Sequence, residues 1–249
     1  MTSPLKTTIA DKTILVTGAN RGIGRALVEE ALMRGASRVY AGLRHPASYS
    51  DERVTPLELD ITNAAQIRSA VGEVKSLDVL VNNAGVALSD DLSDRDGLEQ
   101  HLKVNLFGTY EVTSAFLPIL SQSKGAIVNH VSLNALAPVP VIPAYSISKA
   151  AVFSMTQSLR ALLAARGVRV QAVLTGPVDT DMTRGLDIPK SSPEHVARAI
   201  FDGIENGDED IFPDPVSQSL AEGWRQGVAK ALELEFASFV AAEPVTPKP

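Results

Sequence analysis

Tyr145 and Lys149 stand four residues apart in Tyr145-Ser146-Ile147-Ser148-Lys149, where a long helical pattern begins just after Pro143. Residues i and i+4 share a helix face with Cβ atoms roughly 5–6 Å apart, so the ammonium can lie beside the phenol. Such a pair can move protons. A phenol with a pKa of about 10 relays protons poorly at neutral pH, and lowering it by three units needs about 4 kcal/mol. One ammonium at ~4 Å, with an effective dielectric near 20, supplies a similar amount. The spacing alone is equally compatible with two ordinary helix residues, so the pair gains weight only in company.

A second group lies near the N-terminus. A β-branched run leads into Thr17-Gly18-Ala19-Asn20-Arg21-Gly22-Ile23-Gly24 and then into a helical pattern. Glycines let a backbone approach a pyrophosphate, and the helix N-terminus offers unpaired N–H groups and a positive dipole end. The spacing is Gly-x3-Gly-x-Gly, not the general Gly-x-Gly-x-x-Gly dinucleotide fingerprint. An NAD site usually carries an Asp or Glu at the end of the second strand, about 20 residues past the turn. Here that segment is Val39-Tyr40-Ala41-Gly42-Leu43-Arg44, without a carboxylate. Arg44 stands where a guanidinium fork could meet a 2′-phosphate, and Arg21 can approach the same group. Either arginine alone could be a solvated surface charge; both together, with the acid missing, favour NADP(H).

These groups must be carried by an alternation of short β-branched runs and longer helical patterns, the mark of a parallel sheet covered on both faces. Expected strands are Thr13–Thr17, Arg38–Gly42, Val54–Leu59, Val79–Val81, Ala126–Val131 and Val168–Leu174, with Ile211–Phe212 as a last short one. Expected helices are Gly22–Arg34, Asn63–Val74, Gly97–Leu120, Ala144–Arg166 and Pro193–Glu205, then Val216–Val240, weakened by Gly223 and Gly227. The pattern predicts one domain over residues 11–240, a flexible segment over 1–10 and a disordered tail over 241–249.

Composition narrows the function. The 249 residues hold no cysteine, which excludes a disulfide scaffold, a thiol nucleophile and a Cys-based zinc site. Four scattered histidines support no metal centre, and a formal charge of −6 argues against nucleic-acid binding. The N-terminus lacks the apolar run of a signal peptide. Gly125–Ser148 carries no Lys, Arg, Asp or Glu, but Pro138, Pro140 and Pro143 break it, so a buried strand and loop fit better than a membrane span. A cytoplasmic protein is expected.

In combination the motifs resemble the short-chain dehydrogenase/reductase family from Lys12 to about Arg184. The matching pieces are the Thr17–Gly24 turn, Leu59-Asp60-Ile61-Thr62, Asn82-Asn83-Ala84-Gly85, Asn105 in a long helix, Ser132 thirteen residues before Tyr145, Lys149, and Gly176–Thr180. The resemblance implies a Rossmann-type, doubly wound α/β fold of about seven strands that carries out NADPH-dependent reduction of a ketone or aldehyde, or the reverse oxidation. It implies Tyr145 as general acid and base, Ser132 as donor to the substrate oxygen, and Lys149 as ribose ligand and tuner of the phenol. Asn105 would hold a water linking that lysine to solvent. Gly18, Asn20, Gly22, Ile23 and Gly24 would cradle the cofactor, with Asp60 and Ile61 at adenine and Asn82, Ala84 and Gly85 beside the adenosine ribose. Gly176, Val178 and Thr180 would face the nicotinamide.

Asp60 could instead be a turn acceptor, Asn105 a helix brace, and Asn82 a strand-end turn residue. The chain departs from the family pattern at Thr175-Gly176, where Pro-Gly is usual, and at the C-terminus, where Asp210–Pro215 replaces a glycine-rich strand. A homodimer or homotetramer is expected, the tetramer being put in doubt by that terminus. The substrate pocket is expected from Val86, Leu133, Asn134, Val139, Val141, Met182, Leu186 and Ile188, a mostly apolar set suited to a small neutral carbonyl or alcohol; Val141 and Ile188 could instead be core. His130 reads as a core or strand histidine. Two other functions share the fold: a non-catalytic NADP(H)-binding regulator, which typically lacks the tyrosine or lysine kept here, and an epimerase or dehydratase, for which too little chain follows Thr180.

Overall fold

The computed structural model describes residues 7–45 and 48–242. In chain order its elements are β1 (Thr13–Thr17), α1 (Gly22–Met33), β2 (Arg38–Leu43), β3 (Val54–Glu58), α2 (Ala64–Glu73), β4 (Val79–Asn82), α3 (Arg95–His101), α4 (Thr109–Ser123), β5 (Ala126–His130), α5 (Pro143–Leu163), β6 (Arg169–Val173), α6 (Pro193–Asn206), β7 (Asp210–Ile211), α7 (Pro215–Arg225) and α8 (Val228–Ala242). The seven strands form one parallel sheet in the order β3-β2-β1-β4-β5-β6-β7.

Parallel strands covered on both faces must be apolar at consecutive positions. β1 shows why: all five of its residues are buried. Ile14 and Val16 face a cluster with Leu27 of α1 and Phe201 of α6. Leu15, pointing the other way, packs with Phe116 and Leu120 of α4. The chain winds outward from β1 through β2 to β3, then returns to place β4 on the other side of β1. Between the carboxyl ends of β1 and β4 the loops part in opposite directions, leaving the crevice where such sheets bind ligands. No helix among the described residues is long and apolar enough to cross a membrane.

Several expectations need correction. The flexible segment expected over 1–10 does not extend over Thr7–Ala10, because Ile9 is fully buried and its N–H donates to Glu205 Oε1 at 2.9 Å. Residues 1–6 lie outside the described residues. The helix expected over Gly97–Leu120 runs from Arg95 to Ser123 and contains a seven-residue π-helical stretch, Leu102–Gly108. The single terminal helix expected over Val216–Val240 is two helices. The Gln226 and Gly227 N–H groups fold back onto Glu222 O and Trp224 O at 3.1 and 3.0 Å, so Gly227 breaks the run while Gly223 does not. Helix continues to Ala242, past the start of the expected tail; residues 243–249 lie outside the described residues.

What seats this terminus is charge. The Asp210 carboxylate receives Arg160 Nη2 at 2.8 Å, Trp224 Nε1 at 2.8 Å and Lys230 Nζ at 2.9 Å. Glu233 accepts from Arg160, from Gln157 at 2.9 Å and from Lys230 at 3.1 Å. Burial would raise the Asp210 pKa, but the charges of Arg160 and Lys230 and the bonds from Lys230 and Trp224 outweigh it, and the net shift is downward. A two-residue β7 is thereby tied to α5, α7 and α8. Removing one member of a buried ion network strands the others, at a cost of about 3–5 kcal/mol. Asp210→Ala is expected to lose that much in urea unfolding; a loss below about 1 kcal/mol, the range of surface ion pairs, would show that the network does not hold the terminus.

Candidate active site

The glycine turn closes on itself. Gly18 has φ +65°, and a Cβ there would come within 3.0 Å of Ala84 Cα; a Cβ on Gly24 would sit 2.1 Å from Gly18 O. No side chain caps the N-terminus of α1 and no acid occupies its first turn, so its leading N–H groups are left to an anion. The turn is stitched to the next loop through Thr17, whose hydroxyl accepts from the N–H groups of Asn83 and Ala84, both at 3.0 Å. Asn83 Nδ2 returns bonds to Thr17 O and Gly18 O at 3.0 and 3.3 Å. Tyr49, which the sequence reading missed, donates its hydroxyl to Ala19 O at 2.7 Å. Asn20 is exposed, while Ile23 packs onto the core under α1.

Arg44 is exposed at the end of β2, and its charge helps to lower the Asp60 pKa. Burial pushes Asp60 upward, but hydrogen bonds from the Thr62 N–H and hydroxyl, with Arg44 and Lys103, bring the net shift down. Asp60 is therefore a turn acceptor poised beside the arginine.

Four residues expected at the cofactor direct their side chains elsewhere. Arg21, expected at the 2′-phosphate, instead donates from Nη1 to Asp181 Oδ2 at 2.6 Å, the opposite charge beyond Thr180. Asn82 points into the interior, donating to Thr113 Oγ1 at 2.9 Å and Asn129 Oδ1 at 2.8 Å, so its side chain forms no ribose wall. Ile61 and Val178, 5% and 4% exposed, pack their side chains in the core.

Across the crevice, β5 ends at His130 and Ser132 follows with φ 106° and ψ 151°, a backbone conformation that L-residues other than glycine adopt only under strain. The Ser132 hydroxyl lies 3.4 Å from Thr175 O and accepts from Asn134 N at 3.2 Å. Tyr145 and Lys149 share one face of α5, with Nζ 5.7 Å from the ring centroid. Lys149 is 6% exposed and Nζ donates to His130 O at 2.6 Å. Burial pulls its pKa down to about 8. Burial also pushes the Tyr145 phenol up to about 12, against an opposing hydrogen bond with Ser132. Without a bound cofactor, burial is the largest influence on both groups, raising the phenol and lowering the ammonium.

Asn105 sits in the π-helical stretch and is buried. Its Oδ1 accepts from Val86 N, and its Nδ2 donates to Val86 O and Ser148 Oγ, each at 2.9 Å. The amide braces the loop after β4 against α5, the bracing role that the sequence also allowed. Gly85 belongs to this junction: a Cβ there would lie 3.1 Å from Asn105 Oδ1 and 3.7 Å from Lys149 Nζ. Thr180 lies against the glycine turn, its Cγ2 3.1 Å from where a Gly22 Cβ would be.

Further positioning groups had no signal in the sequence, because their partners are remote. Ile142, at the N-cap of α5, provides no side-chain cap; Asp90 provides it from another loop, accepting from Ala144 N at 3.0 and 3.3 Å. The His101 ring meets Tyr145 edge-on at 6.4 Å, held between Gly97 O at 2.7 Å and Leu88 N at 3.0 Å. Asp214 starts α7 and accepts from Gly176 N at 2.7 Å, fixing the loop after β6.

Val86, Leu133 and Asn134 are half-buried, whereas Val139, Val141, Met182, Leu186 and Ile188 are exposed. Val141, at 73%, and Ile188, at 44%, are therefore not core. The loops leaving Ser132 and Thr180 form an open apolar rim.

Comparison with known proteins agrees with this geometry. The short chain dehydrogenase family profile matches residues 12–190. An uncharacterized oxidoreductase of Staphylococcus epidermidis is 33% identical over 214 residues, 77% of this chain and 90% of that one. Estradiol 17-beta-dehydrogenase 2 of Mus musculus is 34% identical over 197 residues, 72% of this chain and 51% of that protein. A crystal structure of a short chain dehydrogenase from Burkholderia cenocepacia in complex with NADP superposes with TM-score 0.84 at 35% identity, covering 97% of this chain and 100% of that one. The chain belongs to the short chain dehydrogenase family of oxidoreductases.

Proposed function

We propose that this chain is an NADP(H)-dependent carbonyl reductase that also oxidises the corresponding alcohol. The observation that carries the reading is the gathering of Ser132, Tyr145 and Lys149 beside a glycine cradle, below an apolar rim. The cradle fits a dinucleotide: α1 presents uncapped N–H groups to a pyrophosphate, and bare backbone at Gly18 and Gly24 leaves room for close approach. Arg44, with no carboxylate ending β2, suits a 2′-phosphate, and the Burkholderia relative holds NADP. When bound, the nicotinamide gives up or takes the hydride.

The chain's own residues handle the oxygen. The Ser132 hydroxyl donates to the substrate oxygen, and the Tyr145 phenol passes its proton to that oxygen as negative charge develops there. A phenol held near 12 is fully protonated at neutral pH, the form that reduction needs. Lys149, tethered to His130 O, orients the ribose side of the crevice. The rim carries exposed apolar side chains on both of its loops, which supports a neutral ketone or secondary alcohol on an apolar skeleton. The name of the mouse relative points the same way. Exposed Phe107 at the end of the π-helical stretch and Tyr110 at the start of α4, with Ile147 and Leu162 on α5, support association of two copies.

Tyr145→Phe is expected to lower ketone-dependent NADPH consumption by roughly 10²- to 10⁴-fold while NADPH still binds; undiminished turnover would remove the tyrosine from the reaction. Arg44→Asp should weaken NADPH binding by roughly 10- to 100-fold and improve NADH, measured by fluorescence titration; an unchanged preference contradicts the phosphate assignment. Alcohol oxidation needs the phenolate, so its rate should climb with pH and reduction should fall. In Lys149→Ala the oxidation profile should move to higher pH, and an unmoved profile would show that the lysine does not act on the phenol.

A further inference from the structure

We infer that His130 and Thr175 form a positioning pair that sets the register between the two halves of the cofactor cradle. The inference rests on the dinucleotide reading of the crevice and assigns work to two residues that reading leaves idle. Asn83 links the glycine turn to β5. Its Nδ2 is committed to Thr17 O and Gly18 O in the glycine turn, so Oδ1 is the atom turned toward β5. His130 Nδ1 lies 3.2 Å from that oxygen. A carbonyl oxygen can only accept, so Nδ1 carries the proton and Nε2 is bare. Nε2 in turn lies 2.5 Å from Thr175 Oγ1, which must donate to it. Burial and the nearby Lys149 charge hold the imidazole neutral, with its pKa down to about 3, so this arrangement persists at physiological pH.

The ring therefore closes a continuous belt from Gly18 through Asn83 and His130 to Thr175, the residue just before Gly176. Each end carries part of the site. The Thr175 carbonyl accepts from Leu133 N at 2.9 Å and lies 3.4 Å from the Ser132 hydroxyl. The His130 carbonyl holds Lys149 Nζ. One imidazole thus spans the ends of β4, β5 and β6. The Thr-Gly departure after β6 gains a physical reason, since a proline at 175 has no hydroxyl to give to the ring.

The pair would act on cofactor affinity in the folded enzyme, beyond any effect on stability. The test is NADPH titration and steady-state kinetics on full-length wild type, Thr175→Val, Thr175→Ser, His130→Leu and the double variant His130→Leu/Thr175→Val. Valine keeps the shape and removes the hydroxyl; serine keeps the hydroxyl. Thr175→Val is expected to raise the NADPH Kd and KM by roughly tenfold with a smaller effect on kcat, and Thr175→Ser to restore wild-type values. The double variant should bind no more weakly than His130→Leu alone. Should His130→Leu fail to fold, the valine–serine contrast decides alone. Equal NADPH affinity in Thr175→Val, Thr175→Ser and wild type would overturn the pairing and leave the proposed function standing. A wild type that binds neither NADPH nor NADH would overturn both.

Discussion

A buried ammonium is the constraint around which the rest of the site is arranged. Lys149 is 6% exposed, and desolvation draws its pKa toward 8, so keeping its charge requires a polar partner. The His130 carbonyl at 2.6 Å, on the last residue of β5, is that partner. The same low-dielectric setting pushes the Tyr145 phenol up to about 12. The free protein thus holds a neutral acid next to a cation whose attraction for a phenolate is not yet called on. Burial dominates the electrostatics of both groups.

Rigidity around that pair comes from the backbone. Asn105 clamps both main-chain groups of Val86 from within a π-helical stretch, a local widening often found where helices serve a site. Asp90 caps α5 one residue before Tyr145, and His101 closes on the ring from its edge. Ser132 is kept in a strained conformation by the bonds around it. The open rim beyond these groups carries the exposed side chains of Val139, Val141, Met182 and Leu186.

The C-terminal region follows a different rule. α8 turns Lys230 and Glu233 inward and leaves Phe236 and Phe239 exposed and stacked on one another. An ion network around Asp210 replaces the apolar seam that most helices use. Through Asp214 the same region reaches Gly176, so the terminus that departs from the family pattern also fixes the loop beside the active centre.

The one-dimensional pattern was enough to determine the strand and helix alternation, the glycine turn, the Tyr145–Lys149 face and the missing acid after β2, because each rests on local spacing, backbone sterics or side-chain type. Tertiary structure alone decided where Arg21, Asn82 and Asn105 direct their polar groups, how Thr7–Ala10 and the terminal helices pack, and that Asp90, His130 and Asp214 serve the site at all. Hydrogen bonds and ion pairs are settled by which partner lies nearest in space, and those partners lie far along the chain, 160 residues away for Arg21 and Asp181 and 196 for Ile9 and Glu205. The tuning of Tyr145 belongs with them, since desolvation is a property of the whole fold and no spacing of four residues contains it.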